Sequence, residues 1–185
     1  MARLIYVPVL HSTPEMGSSA RAYEAAFVAR YGQSKWEERS AKFDAIWRAI
    51  ADAIKALWLD LRRVKLFQDS LPVCGREVAL VEELAAQGSQ NHQLLVNLMR
   101  GGATLVGTES PDLLLEEYRA LQSPEQRTEA SAAALLEARD RFIGGRIEAT
   151  LGDAEDGILF IGALHDVARF LPRRIKVEYL QIRDQ

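Results

Sequence analysis

The first residues of the chain form an apolar run that ends at a histidine. Residues 3–10 are apolar at almost every position, and a short strand that is apolar on both faces is typical of a sheet covered by helices on each side. Pro8 cannot donate a hydrogen bond to a neighbouring strand. We therefore expect this strand to pair on one side only near its end.

A longer pattern of apolar residues begins at position 35. From there to position 63, large apolar residues recur at steps of seven, four, three, four, three and four, which predicts one long amphipathic helix. The residues of this stripe are Trp36, Phe43, Trp47, Ile50, Ile54, Leu57 and Leu61. We expect the stripe to pack on the rest of the domain or to form a homodimer interface.

The remaining apolar segments alternate between the strand pattern and the helix pattern. Strands are predicted at residues 64–68, 103–107, 158–162 and 175–182, and helices at 20–29, 75–86, 91–99, 112–121 and 125–151. Strands separated by helices need crossover connections, so the pattern predicts a three-layer α/β fold with a mainly parallel sheet of about four to five strands. A length of 185 residues suits a single domain over residues 1–185.

Composition and charge narrow the functional class. The chain is 48% hydrophobic and 26% charged, as expected for a folded globular domain, and its net charge is −3. This charge gives no electrostatic case for binding nucleic acid, and no segment approaches the roughly 20 apolar residues of a membrane span. The single cysteine, Cys74, allows no internal disulfide and suits a reducing compartment. We therefore predict a cytoplasmic protein that binds neither nucleic acid nor membrane.

Four ionisable side chains each follow the carboxyl end of a different predicted strand: His11, Asp69, Glu109 and His165. Ligands bind at this edge in open α/β sheets, so we expect these side chains to meet there. Two imidazoles and one or two carboxylates suit a divalent transition metal such as Mn, Zn, Co or Fe. We therefore predict His11, His165 and Glu109 as metal ligands, with Asp69 as a further ligand or a general base. The alternative is that each histidine is an ordinary polar residue after a strand.

Arg139 and Cys74 offer further chemistry. Arg139 lies on the helix predicted before the strand that leads to His165. It either solvates an exposed helix face or holds an anionic group over the sheet edge, as an oxyanion-stabilising or carboxylate-binding residue. Cys74 opens a predicted helix, where the pKa of a thiol falls, but a lone cysteine is more often a small buried apolar residue.

Two terminal stretches resemble a known family. The later one combines a helix bearing Arg139 and Asp140 with an apolar strand that ends in Gly162-Ala-Leu-His165, and the earlier one is the strand that leads to His11. This pattern is similar to the TraB and TIKI group, within a wider set that includes ChaN-like and erythromycin-esterase-like proteins. The likeness covers residues 1–15 and 137–166, and Pro8 stands where the first motif of the family has a glycine.

The resemblance implies an α/β domain whose two histidines approach each other from the two ends of the chain. For the TIKI branch it implies a metal-dependent hydrolase that cuts peptides. By this resemblance His11 and His165 match the family's two histidines, and Arg139 matches its helix arginine.

We predict a metal-dependent hydrolase-like protein that acts on a peptide, amide or ester bond in a small-molecule or peptide substrate. The second reading is a non-catalytic protein that binds a small anion or a partner protein in the same pocket. A thiol hydrolase centred on Cys74 is the third.

Overall fold

The computed structural model describes residues 1–9, 20–123, 125 and 127–182, with the backbone alone at 20–22. Its strands are β1 (Ala2–Val9), β2 (Val64–Gln68), β3 (Thr104–Val106), β4 (Asp156–Gly162) and β5 (Ile175–Tyr179). Its α-helices are α1 (Ala20–Tyr31), α2 (Gln33–Lys55), α3 (Glu77–Ala86), α4 (Gln90–Arg100), α5 (Pro111–Gln122) and α6 (Glu129–Thr150). Short 3-10 helices span Leu61–Arg63 and Val167–Phe170.

The five strands form one parallel sheet in the order β3-β2-β4-β1-β5. One face packs against α2, α3 and α4, whose buried residues Trp47, Val81 and Leu95 belong to one core cluster. The other face packs against α6, which contributes Ile143 and Ile147 to a second cluster. The predicted three-layer α/β fold is thus confirmed, with a core on each side of the sheet.

Strand β1, which lies between β4 and β5, pairs differently along its two edges. It pairs with β5 as far as Tyr6 opposite Tyr179, and with β4 as far as Val9 opposite Gly162. The pairing with β5 therefore ends before Pro8 is reached. This confirms the expectation that the proline limits the end of the strand to one neighbour.

The long helix predicted over residues 35–63 is too long by eight residues, since α2 ends at Lys55. Beyond it, Trp58 adopts a left-handed φ of 51° and is 91% exposed. Asp60 then accepts a hydrogen bond from the Arg62 N–H and begins the Leu61–Arg63 turn. The spacing of Leu61 continues the apolar stripe, but α2 has already ended at Lys55, and Asp60 caps the separate turn that contains Leu61.

Four of the five stripe residues that lie on α2 are buried within the chain itself, and Phe43 is half-buried. Trp47, Ile50 and Ile54 pack in the core beside the sheet, and Trp36 packs against aromatic residues of α1. The burial of these residues is explained by packing on the rest of the domain, which is one of the two roles expected for the stripe. The other role, a homodimer interface, stays a prediction. In the part of the chain that the structure describes, no helix is long and apolar enough to cross a membrane.

Candidate metal centre

The carboxyl edge of the sheet gathers three of the residues singled out in the sequence. Asp69 directly follows β2, Glu109 lies three residues beyond β3, and His165 lies three residues beyond β4. Because β2 lies between β3 and β4, the strand order places these three segments side by side. One carboxylate oxygen from each acid and one ring nitrogen of the histidine all lie within 4.8 Å of one another.

Backbone hydrogen bonds hold both acids in place beyond the ends of their strands. The Asp69 N–H donates to the carbonyl of Phe160 in β4 over 2.8 Å. The Glu109 N–H donates to the Leu71 carbonyl, and the Glu109 carbonyl accepts from the Val73 N–H, both over 2.9 Å. The two acids are therefore anchored to the sheet by their main chains, which leaves their side chains to define the site.

Arg139 projects from α6 into this cluster and is only 4% exposed. Its Nε and Nη2 atoms donate to the two carboxylate oxygens of Glu109, over 3.0 and 2.5 Å. Nη2 also donates to Asp69 Oδ1 over 3.0 Å, and Nη1 donates to Glu117 Oε2 of α5 over 2.5 Å. One guanidinium thus pairs with three carboxylates from three separate segments of the chain.

His165 is oriented by the residue that follows Arg139. Its Nδ1 lies 2.5 Å from Asp140 Oδ1, and the other oxygen of Asp140 accepts from the Asp166 N–H over 2.8 Å. When Nδ1 carries the proton and donates it to Asp140, the Nε2 lone pair faces the acids, and Nε2 is 3.7 Å from Asp69 Oδ1. A carboxylate that fixes a histidine in this way is a common partner of metal-binding histidines.

The electrostatics of the cluster follow from its burial. Desolvation raises the pKa of the Glu109 carboxyl above its ordinary value, although the hydrogen bonds and charge of Arg139 act in the opposite direction. Burial by itself would lower the pKa of Arg139, but the neighbouring carboxylates outweigh it and raise that pKa, so the guanidinium stays charged. Among the described residues, Arg139 faces Glu109 and Glu117 as well as Asp69, so acids outnumber this cation.

The donor set fits a divalent transition metal in type and in spacing. An imidazole nitrogen with two carboxylate oxygens suits Mn, Fe, Co and Zn. Two atoms bonded to one ion at about 2.1 Å lie at most about 4.2 Å apart, so a pair at the 4.8 Å limit would close by about half an ångström. Asp69, Glu109 and His165 are therefore close enough to hold a metal ion.

Arg139 competes for the oxygens that such an ion would use. Its Nη2 atom already holds Asp69 Oδ1 and Glu109 Oε1. The expectation that Arg139 binds a substrate carboxylate or an oxyanion is not supported by this arrangement, because its donors face acids of the protein. The same pairing also weakens the alternative of a non-catalytic protein that binds a small anion in this pocket, because the donors of Arg139 are already used by acids of the protein.

Two residues considered in the sequence lie elsewhere. His11 falls outside the described residues, so its predicted role as a ligand stays a prediction. Cys74 is exposed and precedes α3, which begins at Glu77 rather than at the cysteine. Its N–H donates to the Glu77 side chain over 2.9 Å, which ties the loop that contains Cys74 to the first residue of α3.

Asp140 and Glu117 were not predicted as members of the site. Neighbouring residues on a helix point about 100° apart, so the sequence gives no reason to expect Arg139 and Asp140 to serve one cluster. Glu117 lies on α5 among other acids, and its pairing with Arg139 depends on how α5 and α6 pack. The signals available in the sequence are the adjacent opposite charges of Arg139 and Asp140 and the place of this pair in the family resemblance.

Comparison with known proteins adds no relative. A scan against protein-family models, a search of curated proteins and a search of solved structures each found no match. The function therefore has to be argued from the residues and their geometry.

Proposed function

We propose that this edge of the sheet binds a divalent transition metal and that the protein is a metal-dependent hydrolase of a peptide, amide or ester bond. The observation that supports the proposal best is the convergence of Asp69, Glu109 and His165 from the ends of three strands. His11 completes the proposed ligand set. A second cation in this place would also relieve the repulsion among acids that Arg139 cannot neutralise alone.

The residues of the chain have separable roles in this proposal. Glu109, His165 and His11 are ligands, while Asp69 is a further ligand or accepts a proton from water. Asp140 keeps the proton of His165 on Nδ1, which leaves Nε2 as the donor atom. A bound metal would supply Lewis acidity, which activates water and polarises a carbonyl group.

The resemblance to the TraB and TIKI group forms part of the proposal. In that family a helix arginine precedes the strand that leads to the second histidine. Here Arg139 and His165 both contact Asp69 at the same sheet edge, the histidine more loosely over 3.7 Å. The meeting of these two motif residues at one sheet edge supports the resemblance.

Metal binding is tested by dialysing chelator-treated protein against Mn, Zn, Co or Fe salts and measuring bound metal by elemental analysis. We expect about one ion per chain in the wild type. Binding should be about tenfold or more weaker in Glu109→Gln and His165→Asn, which each lose a ligand. A similar loss is expected in Asp140→Asn, because His165 then loses the carboxylate that orients it. Glu116→Gln is the matched control, because Glu116 is exposed one residue from Glu117 on the same helix.

Hydrolysis is tested on the metal-loaded protein with a panel of chromogenic esters, anilides and short peptides. Turnover that depends on the metal and disappears in Glu109→Gln would support the proposal. Absence of all four metals in wild-type protein and in a His11→Ala/His165→Ala double variant alike would contradict the metal site. Stoichiometric metal without turnover of any substrate in the panel would contradict the hydrolase alone.

A further inference from the structure

A second feature with binding potential lies beside the core, along the amino-terminal half of α2. Helices α1 and α2 form a hairpin joined at Gly32, whose φ of 88° favours glycine. The two helices are held together by aromatic residues, with the Trp36 ring 6.2 Å from that of Tyr23 and 5.5 Å from that of Phe27. The amino-terminal half of α2 therefore packs on α1 rather than on the sheet.

A groove of about 750 Å³ opens along this hairpin. Its floor is apolar and half-buried and includes Phe27, Phe43 and Ile46. Its rim is formed by charged residues of both helices. The groove thus combines the apolar floor and polar rim that are characteristic of recognition sites for amphipathic partners.

The rim of the groove is positive although the whole chain is negative. Four lining residues are basic and one, Glu38, is acidic, which gives a local charge of +3 against −3 for the chain. Glu38 pairs with both Lys35 and Lys42, and the hydrogen bonds from Lys42 and Lys35 lower its pKa to about 2. The carboxylate is therefore ionised throughout the physiological range, and the net positive charge of the rim persists.

Two arginines of the groove have donors that no described carboxylate uses. The Arg39 guanidinium stacks on the rings of Phe27 and Phe43 at 5.6 and 5.3 Å, and that of Arg30 lies 5.2 Å from the ring of Tyr31. Stacking on an aromatic ring orients a guanidinium while leaving its N–H groups at the edge. Both arginines are thus prepared to bind carboxylates from outside the described part of the chain.

We propose that this groove binds an acidic amphipathic helix of a partner protein. On α2 the groove extends from Lys35 to Ile46, which corresponds to about 16 Å, or three helical turns. A third helix lying between α1 and α2 would insert apolar residues spaced at i, i+3 or i+4, and i+7 between the two rows of basic side chains. Its flanking carboxylates would meet Arg30 on one side and Arg39 with Lys42 on the other.

Other occupants fit the groove less well. A two-fold contact between two copies of the chain would place the same positive rim against itself. A flat anionic membrane cannot enter a concave floor between two helices, and a single-stranded nucleic acid would meet the net negative charge of the rest of the chain. A partner helix alone satisfies the shape, the apolar floor and the charge together.

The test uses the full chain and a fluorescein-labelled helical peptide of about 14 residues, three to four turns, built from Leu, Ala and Glu, with Leu on one face. We expect saturable binding by fluorescence anisotropy that weakens as salt is raised. The same peptide with Lys in place of Glu should not bind. An Arg39→Gln/Lys42→Gln double variant should bind the Glu peptide about tenfold more weakly, because it loses two charge pairs.

Arg48→Gln is the matched control, since Arg48 is exposed on the same helix and does not line the groove. It should bind the Glu peptide like the wild type. Equal binding of the Glu and Lys peptides, equal loss in the control and the double variant, or no binding of the Glu peptide would overturn the proposal. The proposal would also be overturned if the double variant still bound the Glu peptide like the wild type but lost another interaction. The interactions to measure are binding to oligothymidine, binding to vesicles of phosphatidylglycerol and phosphatidylcholine, and self-association in sedimentation.

Discussion

At the scale of single residues, Arg139 determines the stability of the site. It is buried with Glu109 and Asp69 and also pairs with the partly exposed Glu117, so its charge offsets the hydration that the buried carboxylates lose. Breaking a buried ion pair from one side is costly because the partner charges remain. The same residue is the one that a metal ion would have to displace from Asp69 and Glu109.

Arg139→Gln should therefore lower the free energy of unfolding of metal-free protein by about 3–5 kcal/mol. Divalent metal should restore part of that loss, because a cation bound by Asp69 and Glu109 replaces the missing charge. Urea denaturation with and without MnCl₂ measures both effects.

The control for this change lies two residues further along the same helix. Arg141 is exposed and pairs with Glu137, so Arg141→Gln should cost at most about 1 kcal/mol and show no added response to the metal. Equal losses in the two variants would mean that the buried network contributes no more than a surface pair. A loss in Arg139→Gln that metal leaves unchanged would argue against competition between guanidinium and metal.

At the scale of elements, α6 connects the site to the core behind the sheet. Arg139 and Asp140 lie near its middle, and Ile143 and Ile147 anchor the following turns. The sequence predicts a weak or kinked point at Gly144 and Gly145, yet the helix is continuous from Glu129 to Thr150. Close packing explains one of the glycines, because a Cβ at Gly144 would lie 2.8 Å from the Cβ of Phe170.

The two adjacent glycines should therefore respond to alanine in opposite directions. Gly144→Ala should destabilise the protein by about 1–3 kcal/mol, since the added methyl group overpacks against the 3-10 helix. Gly145→Ala meets nothing within 4 Å and should stabilise the helix by about 0.5–1 kcal/mol. Thermal unfolding of the two variants measures the contrast, and a loss of stability in both would contradict the packing argument.

At the scale of the whole molecule, the sequence predicts the layers of the fold and the position of the site better than it predicts which charged side chains pair within the site. Asp69, Glu109 and His165 could be placed at one edge because each follows a strand and parallel strands share their carboxyl edge. The order of the strands cannot be predicted from any local pattern, since it depends on which strands pair although they are far apart in the sequence. The partners of Arg139 depend on that order and on the position of α5, so the sequence leaves open whether this arginine solvates the helix or holds an anionic group.

The end of α2 was mispredicted for a different reason. Periodicity alone extends the helix to Leu61, because this apolar residue fits the spacing of the helical stripe although it lies in a separate turn. The competing signal is local and weak: α2 ends at Lys55, and Asp60 begins a separate turn five residues later. Helix boundaries are decided by such small competing preferences, whereas the number and type of elements follow from many residues acting together.

Amide hydrogen exchange should separate the sheet from the α1–α2 hairpin. Backbone amides of β1 and β4 are buried and paired at the centre of the sheet, so they should exchange only by global unfolding. Amides of α1, which packs mainly on α2, should exchange about a hundredfold faster or more through local opening. Mass spectrometry of exchanged peptides measures the difference, and equal protection would show that the hairpin unfolds together with the sheet.

The central position of β4 also governs how the chain is made. β4 lies between β1 and β2 but is synthesised after both. While residues before 156 emerge from the ribosome, β1 and the β2–β3 pair have no strand to join them, and Asp69 and Glu109 have no His165 beside them. A nascent chain therefore carries the acids of the cluster without its histidine, and the complete cluster forms only in a chain that has been translated past β4.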